Sequence, residues 1–410
     1  MSDGITIRPA GPEEFARYWD TAVAAFGWGE PPDDMGAFLR AISAPGRMLA
    51  AVDGDDMVAV AGAFPFRMTV PGGEVPAAGV TLVGVLPSHR RRGILTRLME
   101  RLFDDATRAG EPVAYLWASE DAIYQRFGFG MAALFADMQI ERHRATFLGD
   151  PPPAGRVRLL TQEQALDVLP PLYETYRLRT PGAFARSRAW WQTHRFRDSS
   201  DEREGGSRLR IGVWECDGEA RGYALWRTKA NWVDGVSRAR LQVAEAVGLD
   251  PEAVREVWQF LFSVDLVEVI GAEHLAADHP LQYLVHEPRR LGLKYTWPLW
   301  VRVVDAGQAL EARGYAADGS LVLEVADRFR PANAGRWRLE VSGGRARCEP
   351  TSDAPDLRLT ANELGATYLG GTGFGALARA GRVQEPTPGA ARRADDLFRS
   401  EQAPWCPEIF

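Results

Sequence analysis

The sequence has few cysteines, no long apolar run and no excess of basic charge. Its 410 residues include three cysteines, Cys216, Cys348 and Cys406, which are odd in number and far apart. This spacing predicts neither a disulfide framework nor a zinc site, and it indicates a reducing compartment. No stretch approaches the roughly eighteen apolar residues of a membrane span. The first residues lack the basic and apolar segments of a secretory signal. We therefore expect a cytoplasmic protein that needs no metal and has no membrane span.

The charge balance limits the class of partner. The formal net charge of −7 disfavours nucleic acid, because phosphate binding depends on clustered basic residues. An acidic chain is instead compatible with cationic small molecules. The hydrophobic fraction of 46% and the charged fraction of 25% are typical of a folded globular protein, and the length predicts two or three domains.

Three regions follow from the hydrophobic pattern. Strands and helices alternate over residues 1–150, which is typical of an α/β domain. The segment 150–155, with three consecutive prolines, reads as a linker. Residues 151–297 repeat the opening order of elements, and we expect a second, diverged copy of the first domain. Residues 298–410 contain short alternating strands and helices and predict an α+β domain. The fold class is therefore α/β and α+β.

Residues 83–129 carry the pattern that points to chemistry. Val83-Gly84-Val85 ends an apolar strand that Pro87 cannot continue, so the strand must splay or turn. Next, Arg90-Arg91-Arg92-Gly93 leads into a helix that begins near Ile94, and free N–H groups at such a start bind anions such as a pyrophosphate. The run Tyr124-Gln125-Arg126-Phe127-Gly128-Phe129 follows the next strand. Taken singly, the arginines could be a solvated face and Tyr124 a packed aromatic residue.

In this order the motifs resemble the GCN5-related N-acetyltransferase (GNAT) family, with one departure. Two residues after Gly93 stands Leu95, where the family has glycine or alanine, so the loop is less open. Further segments extend the resemblance to the Eis (enhanced intracellular survival) family: Val83 to Ile94, Ala118-Ser119-Glu120 with Tyr124, 310–316, 368–370 and the ending in Phe410.

The resemblance implies two tandem acetyltransferase-type domains, a sterol-carrier-like carboxy-terminal domain and a homo-hexamer. It also implies acetyl-CoA-dependent acetylation of amines on aminoglycosides or protein lysines. The acetyl-CoA site would comprise these residues: Val83, Gly84, Val85, Arg90, Arg91, Gly93, Ile94 and Ser119.

Amine acetylation needs an acid and a base. Tyr124, with an ordinary pKa of about 10, stays protonated and suits the general acid. For the base, His89 is a candidate by residue type, but it lies among three arginines. The α-carboxylate of Phe410 is the alternative that the resemblance implies, and the bulky apolar tail predicts that the end of the chain docks. Phe410 could instead only fill a hydrophobic groove.

The expected substrate pocket lies around Phe26, Trp28 and Glu30, whose aromatic and acidic groups suit a polyamine. Thr81 and Trp117 are further candidates for substrate contact. The segment 26–34 could equally be an exposed turn with one packed tryptophan.

The second copy provides an internal comparison. At the position that matches the cofactor loop, residues 243–252 contain acids and no arginine, so this domain should bind no CoA.

The apolar residues of the third domain are better explained as a core than as a lipid site. We expect that domain to deliver Phe410 and to support oligomer contacts. Two other hypotheses for the function remain open: a protein-lysine acetyltransferase, and a non-catalytic lipid-carrier or regulatory protein.

Overall fold

The structure is a computed structural model that describes residues 4–29, 35–149, 155–296 and 298–410. The described chain forms two compact units. The first comprises the described parts of 1–133, together with 298–404 and 409–410. The second comprises the described parts of 134–297 and residues 405–408. Glu30 and residues 150–154 of the expected linker lie outside the described residues.

The amino-terminal part of the first unit alternates strands and helices as the hydrophobic pattern predicts. Its elements, in chain order, are β1 Ile5–Pro9, α1 Phe15–Phe26, α2 Met35–Ile42, β2 Met48–Asp53, β3 Asp56–Val70, β4 Gly73–Val85, α3 Ile94–Arg108, β5 Val113–Trp117, α4 Asp121–Gln125 and β6 Gly130–Ala133. The sequence predictions of β1, α3 and β5 are confirmed to within a residue or two.

The second unit follows a similar order. Its elements are β7 Phe135–Glu141, β8 Arg156–Leu159, α5 Gln162–Arg177, α6 Arg188–Trp190, α7 Ser200–Arg203, β9 Arg210–Cys216, β10 Glu219–Lys229, β11 Trp232–Val233, β12 Val236–Ser237, β13 Ala239–Gly248, α8 Pro251–Ser263, β14 Val267–Ala276, α9 Leu281–Leu284 and β15 Lys294–Tyr295.

The carboxy-terminal elements return to the first unit. They are β16 Leu299–Val303, α10 Ala306–Ala312, β17 Gly319–Ala326, β18 Gly335–Ser342, β19 Arg345–Pro350, β20 Leu357–Thr360, α11 Ala361–Thr367, α12 Phe374–Arg379 and α13 Ala390–Phe398. Strands β17 to β20 form a four-stranded sheet in the order β19-β18-β17-β20. This is the α+β region that the sequence predicts.

Two seven-stranded sheets share one strand layout. The first has the order β1-β2-β3-β4-β5-β16-β6, and the second, read from its opposite edge, has the order β8-β9-β10-β13-β14-β7-β15. In each sheet the fourth and fifth strands pair in parallel and the neighbouring strands in antiparallel fashion. The sixth place is taken by β16 in the first sheet and by β7 in the second. The repeated order agrees with a duplicated fold.

The first sheet has two different faces. The core on one face packs α3 against alternate strand residues, among them Ala78, Val80, Ala114 and Leu116. Because strand side chains alternate, Gly79, Thr81, Tyr115 and Trp117 face the other side. We call the face that packs against α3 the α3 face. The opposite face, on which α1 packs, is the α1 face.

Candidate active site

A β-bulge changes the direction of β4 just before the predicted cofactor loop. Gly62 pairs with Thr81 and Val60 with Gly84, so that Leu82 and Val83 together oppose one residue of β3. Leu82 has a φ of 50°, which is costly for a residue with a side chain. Bulges of this kind re-aim a strand near functional sites. After the bulge, Val83 and Val85 pack against the α3 face.

Gly84 consequently faces α1. A Cβ at this position would lie 2.7 Å from the Cβ of Ala25, so the absence of a side chain lets the end of α1 approach the strand. The sequence motif Val83-Gly84-Val85 therefore combines two faces: apolar side chains towards α3, and bare backbone towards α1.

Strands β4 and β5 part beyond Gly79. Their parallel pairing runs from Ala77 with Val113 to Gly79 with Tyr115. Beyond these residues β5 stays paired with β16 as far as Trp117, whereas β4 has no partner on this side among the described strands. The backbone of residues 80–85 is thus available to a ligand that lies between the two strands.

The start of α3 has the features of an anion site. Gly93 is the N-cap, with a φ of 77°, and it supplies no side chain to cap the first N–H groups. Such N–H groups, together with the helix dipole, favour a phosphate. A Cβ on Gly93 would meet nothing within 4 Å, so the approach is open.

The three arginines of the loop have different environments. Arg91 is exposed, has a φ of 64°, and its guanidinium has no hydrogen bond or ion pair within the part of the chain that the structure describes. Arg90 donates to the carbonyls of Val85 (3.3 Å) and Ala25 (3.1 Å), which ties the loop to β4 and α1. Arg92 lies 3.5 Å from a carboxylate oxygen of Asp53. Arg91 is therefore the arginine that is free to bind an anion.

The other predicted cofactor residues fall into two groups. Ile94 is fully buried in the core and so orients the helix rather than touching a ligand by its side chain. Ser119 is exposed in the segment between β5 and α4.

Tyr124 lies on α4, with 5% of its surface exposed, and packs edge-on against Phe129 at 5.9 Å between ring centroids. Burial and the nearby Glu120 carboxylate raise the pKa of this phenol to about 12. The sequence expectation used the ordinary value of about 10. The phenol is therefore protonated over a wider pH range than expected.

Phe410 lies on the α1 face where the two strands begin to part. Its ring centroid is 5.1 Å from that of Phe66 and 5.0 Å from that of Tyr115, with both pairs edge-on. A Cβ on Gly79 would overlap the Phe66 ring and would lie 3.2 Å from Phe410. The residue predicted from the far end of the chain is thus in contact with the last paired residues of β4 and β5.

The expected substrate residues also lie mainly on this face. Phe26 and Trp28 stack, with centroids 4.4 Å apart and ring planes 10° apart, at the left-handed turn of Gly27 that ends α1. Trp28 is 51% exposed. Thr81 is buried and Trp117 half-buried. Glu30 lies outside the described residues.

Sequence reasoning missed two aromatic residues that contact Phe410, Phe66 and Tyr115, and a third, Phe64, behind Phe66. Phe64 packs against Phe66, which packs in turn against Tyr115. The spacing of two between Phe64 and Phe66, and between Tyr115 and Trp117, was an available signal, because such residues share one face of a strand.

Helix α8 of the second unit corresponds to α3 of the first, but a carboxylate lies at its start, where α3 could bind an anion. The side chain of Asp250 caps α8 by accepting from the N–H of Ala253 at 3.0 Å, and it also binds Arg221. Glu252 lies 3.4 Å from Arg221 as well. Carboxylates therefore occupy the place where the first unit leaves N–H groups open, so this helix start is unsuited to a pyrophosphate.

The described residues contain no cluster of three or more His, Cys, Asp or Glu residues that could hold a metal ion. No helix among them is long and apolar enough to cross a bilayer.

Comparison with known families agrees with this architecture. A family model described as acetyltransferase (GNAT) domain matches residues 6–132, a second model of the same description matches 182–303, and a sterol carrier protein domain model matches 306–407. The fold is therefore two GNAT domains followed by a sterol-carrier domain, which confirms the fold class expected from the sequence. The protein is a GNAT-type N-acetyltransferase, with acetyl-CoA as donor and an amine as acceptor.

Full-length relatives narrow the class. An uncharacterized N-acetyltransferase of Streptomyces avermitilis is 41% identical over 98% of this chain and 99% of its own length. N-acetyltransferase Eis of Mycobacterium tuberculosis is 33% identical over 95% of this chain and 91% of its own. The crystal structure of Eis1 from Mycobacterium abscessus superposes with a TM-score of 0.85 at 33% identity, over 99% of this chain and all of that one. The chain belongs to the Eis family of N-acetyltransferases, as the sequence motifs indicated.

Proposed function

We propose that this enzyme acetylates primary amines of aminoglycosides or related polyamines, at more than one position, in the opening between β4 and β5. The observation that supports this most is the aromatic α1 face beside the opening. It carries the stacked Phe26–Trp28 pair, with Trp28 half-exposed, and the Phe410–Phe66–Tyr115 cluster. The exposed ring of Trp28 can attract an ammonium group, which supports a substrate that carries amines.

The donor would be held by the first unit alone. The N–H groups at the start of α3 and the guanidinium of Arg91 would bind the pyrophosphate, while Arg90 and Ile94 keep the loop and helix in place. Val83, Gly84 and Val85 would direct backbone N–H groups at the thioester carbonyl, where an oxyanion develops. Ser119 would flank the bound acetyl-CoA on the β5 side. With the helix start of α8 capped by Asp250, we expect one donor site per chain.

The chemistry needs two proton transfers. As the amine nitrogen bonds to the carbonyl carbon and the carbon–sulfur bond breaks, the amine loses a proton and the leaving sulfur gains one. The phenol of Tyr124 would supply the second proton and recover it from solvent. A pKa of about 12 makes the phenol a weak acid, but it keeps the proton in place until a basic thiolate forms. Tyr124 belongs to the α3 face and Phe410 to the α1 face. The opening between β4 and β5 would therefore connect the donor, bound at the start of α3, with the amine acceptor on the α1 face.

In the 410-residue chain, the α-carboxylate of Phe410 would act as the base or as the partner of the ammonium. The ring is anchored by Phe66 and Tyr115, which limits where the carboxylate can be. A variant with two glycines appended after Phe410 tests this role. It should bind CoA normally and lose turnover, and an unchanged kcat would exclude the carboxylate.

A thiol-release assay tests the substrate class. Acetyl-CoA is supplied with a panel of aminoglycosides, simple polyamines and lysine peptides, and products are counted by mass spectrometry. We expect release with aminoglycosides, products with more than one acetyl group, and a loss of about 100-fold or more in kcat for Tyr124→Phe. Release with peptides alone would favour the protein-lysine alternative, and release with no amine would favour a non-catalytic role.

We also propose a cytoplasmic homo-hexamer. All three cysteines are buried thiols and none forms a disulfide, which suits a reducing compartment. On the second unit, Trp232, Val236 and Leu266 expose large apolar side chains, which supports a contact between chains. Sedimentation should give about six times the 45.2 kDa of the chain, and a monomer at micromolar concentration would contradict the assembly.

A further inference from the structure

Helix α11 of the sterol-carrier region is in backbone contact with the strands that follow Tyr124. A Cβ on Gly365 would overlap the carbonyl oxygen of Val301 in β16 and would lie 3.2 Å from the N of Gly130 in β6. A Cβ on Gly130 would in turn overlap the carbonyl of Asn362. Since no side chain separates these backbones, the place of α11 relative to β6 is closely defined.

From this helix, one side chain reaches the turn that carries Tyr124. The amide nitrogen of Asn362 donates to the carbonyl of Gln125 at 2.9 Å and to that of Phe129 at 2.7 Å. Both partners are carbonyl oxygens, which only accept, so the NH₂ end of the amide must face the turn. The carbonyl of Tyr124 itself accepts from the N–H groups of Phe127 and Phe129. Asn362 therefore joins the two ends of the turn 125–129, directly after Tyr124.

The same turn is closed on a second side. Gly128 has a φ of 83°, and a Cβ there would lie 2.5 Å from the Nη1 of Arg302 and 3.0 Å from Ala361. Arg302 lies on β16 and is fully buried, and its guanidinium binds Asp327. Every one of these contacts comes from residues beyond 298, so the turn is supported by a part of the chain far from Tyr124 in sequence.

We infer that Asn362 is a positioning residue for Tyr124, and that the sterol-carrier region thereby takes part in catalysis. The amide fixes the turn on which Tyr124 depends, and so fixes the direction in which the phenol points. A small misplacement of a catalytic group is costly, because proton transfer requires hydrogen-bond geometry. This inference rests on the proposed role of Tyr124 as general acid.

The test compares Asn362→Ala and Asn362→Asp with Asp395→Ala. Asp395 also belongs to the sterol-carrier region, but its carboxylate accepts from Gly375 at the start of α12. We expect Asn362→Ala to lower kcat about tenfold, with the Kd for CoA within about twofold. Asn362→Asp should lose more, because carboxylate oxygens would face two carbonyls. Asp395→Ala should keep its kcat. Rates are normalised to CoA-binding sites, so that misfolded protein does not count.

A double-mutant cycle separates this inference from the proposed function. In a Tyr124→Phe background, Asn362→Ala should change the residual rate by less than about twofold. If Tyr124→Phe alone were fully active, the acid assignment would fail. If Tyr124→Phe were impaired and Asn362→Ala were not, only the positioning role would fail. An equal tenfold loss in both backgrounds would also overturn that role, because Asn362 would then act through another group.

Discussion

Because Gly79 has no side chain, there is room beside it for Phe410, whose carboxylate is the proposed base. Phe66 and Phe410 both occupy the space beside its Cα. We expect Gly79→Ala to displace the Phe410 ring and to lower kcat about tenfold, with CoA binding retained. Gly73→Ala is the matched control, since it lies on the same strand and its Cβ would meet nothing within 4 Å. Steady-state kinetics and calorimetry with CoA measure both quantities. Equal kcat values for the two variants would mean that Phe410 need not lie there.

The pKa of Tyr124 gives a second prediction at this scale. Burial is the larger cause of the rise to about 12, and the Glu120 carboxylate adds to it. A raised pKa keeps the phenol protonated, so activity should not fall between pH 8 and about 11 through loss of this proton. Glu120→Gln removes the repulsion between two negative charges and should move the alkaline fall of kcat to lower pH. The kcat–pH profile of both proteins is the measurement. A shift to higher pH in Glu120→Gln would contradict the assignment of Tyr124 as the acid.

Among the elements, helices α3 and α8 occupy corresponding places but have opposite charge at their starts. Arg91 is free beside the uncapped start of α3, whereas Asp250 caps α8. We expect Arg91→Ala to weaken CoA binding about tenfold. Arg108→Ala, at the other end of α3, should leave it unchanged, because Arg108 pairs with Asp105. Calorimetry should also give one CoA per chain, and a stoichiometry of two would mean that α8 binds an anion despite its carboxylates.

The second unit contains a buried ionic cluster that holds the segment 405–408. Arg186 lies between the rings of Tyr173 (3.7 Å) and Trp191 (4.6 Å), and its guanidinium binds the carboxylates of Glu245 and Glu408. All three charged side chains are fully buried. Replacing Arg186 by Met would leave two buried carboxylates without their main cation, at a cost of about 3–5 kcal/mol in the free energy of unfolding. Arg188→Met, on an exposed side chain two residues away, should cost under about 1 kcal/mol. Urea denaturation measures the difference, and equal midpoints would contradict it.

The same cluster has a definite pH dependence. Burial alone would raise the pKa of Glu245, but Arg186 and Arg195 outweigh it and lower the pKa below the ordinary value. A carboxylate with a lowered pKa stabilises the fold above its unfolded pKa of about 4.3, and that stability is lost as the pH falls through the folded value. Acid sensitivity of the second unit below about pH 4 should therefore be weaker in Glu245→Gln than in the native chain.

Sequence reasoning identifies features whose signals are local. The start of α3 was predictable because Gly93, the arginines and the helical stripe all lie within one short segment. The bulge at Leu82 was not predictable, because the sequence shows it only as a break in the alternation of apolar residues between Val80 and Val83. Asn362 and Arg186 could not be assigned either, since their partners lie far away in sequence. The bulky apolar tail predicted that the end of the chain docks, but the role of Phe410 was predicted only through the family resemblance.

Across the whole molecule, the division of strands between the sheets depends on such distant pairing. The apolar run at β16 predicts a strand but not its neighbours, and it inserts between β5 and β6 of the first sheet. Strand β7 follows β6 in the chain, yet it pairs with β14 and β15 of the second sheet. The first sheet is therefore completed by β16, a strand that the chain reaches only after the second unit.

This topology makes the first unit dependent on its carboxy-terminal strand. A fragment of residues 1–133 contains the loop at Gly93, the bulge and Tyr124, yet it leaves the edges of β5 and β6 unpaired. It also lacks the Arg302–Asp327 pair and α11. Unpaired edges and exposed apolar surface promote aggregation, so we expect this fragment to be insoluble or to bind no CoA. Coexpression with 298–410 supplies β16 and α11 and should restore a soluble pair that binds CoA, measured by calorimetry after copurification. If 1–133 alone bound CoA as tightly as the full chain, β16 would be dispensable and the sterol-carrier region would have no part in building the site.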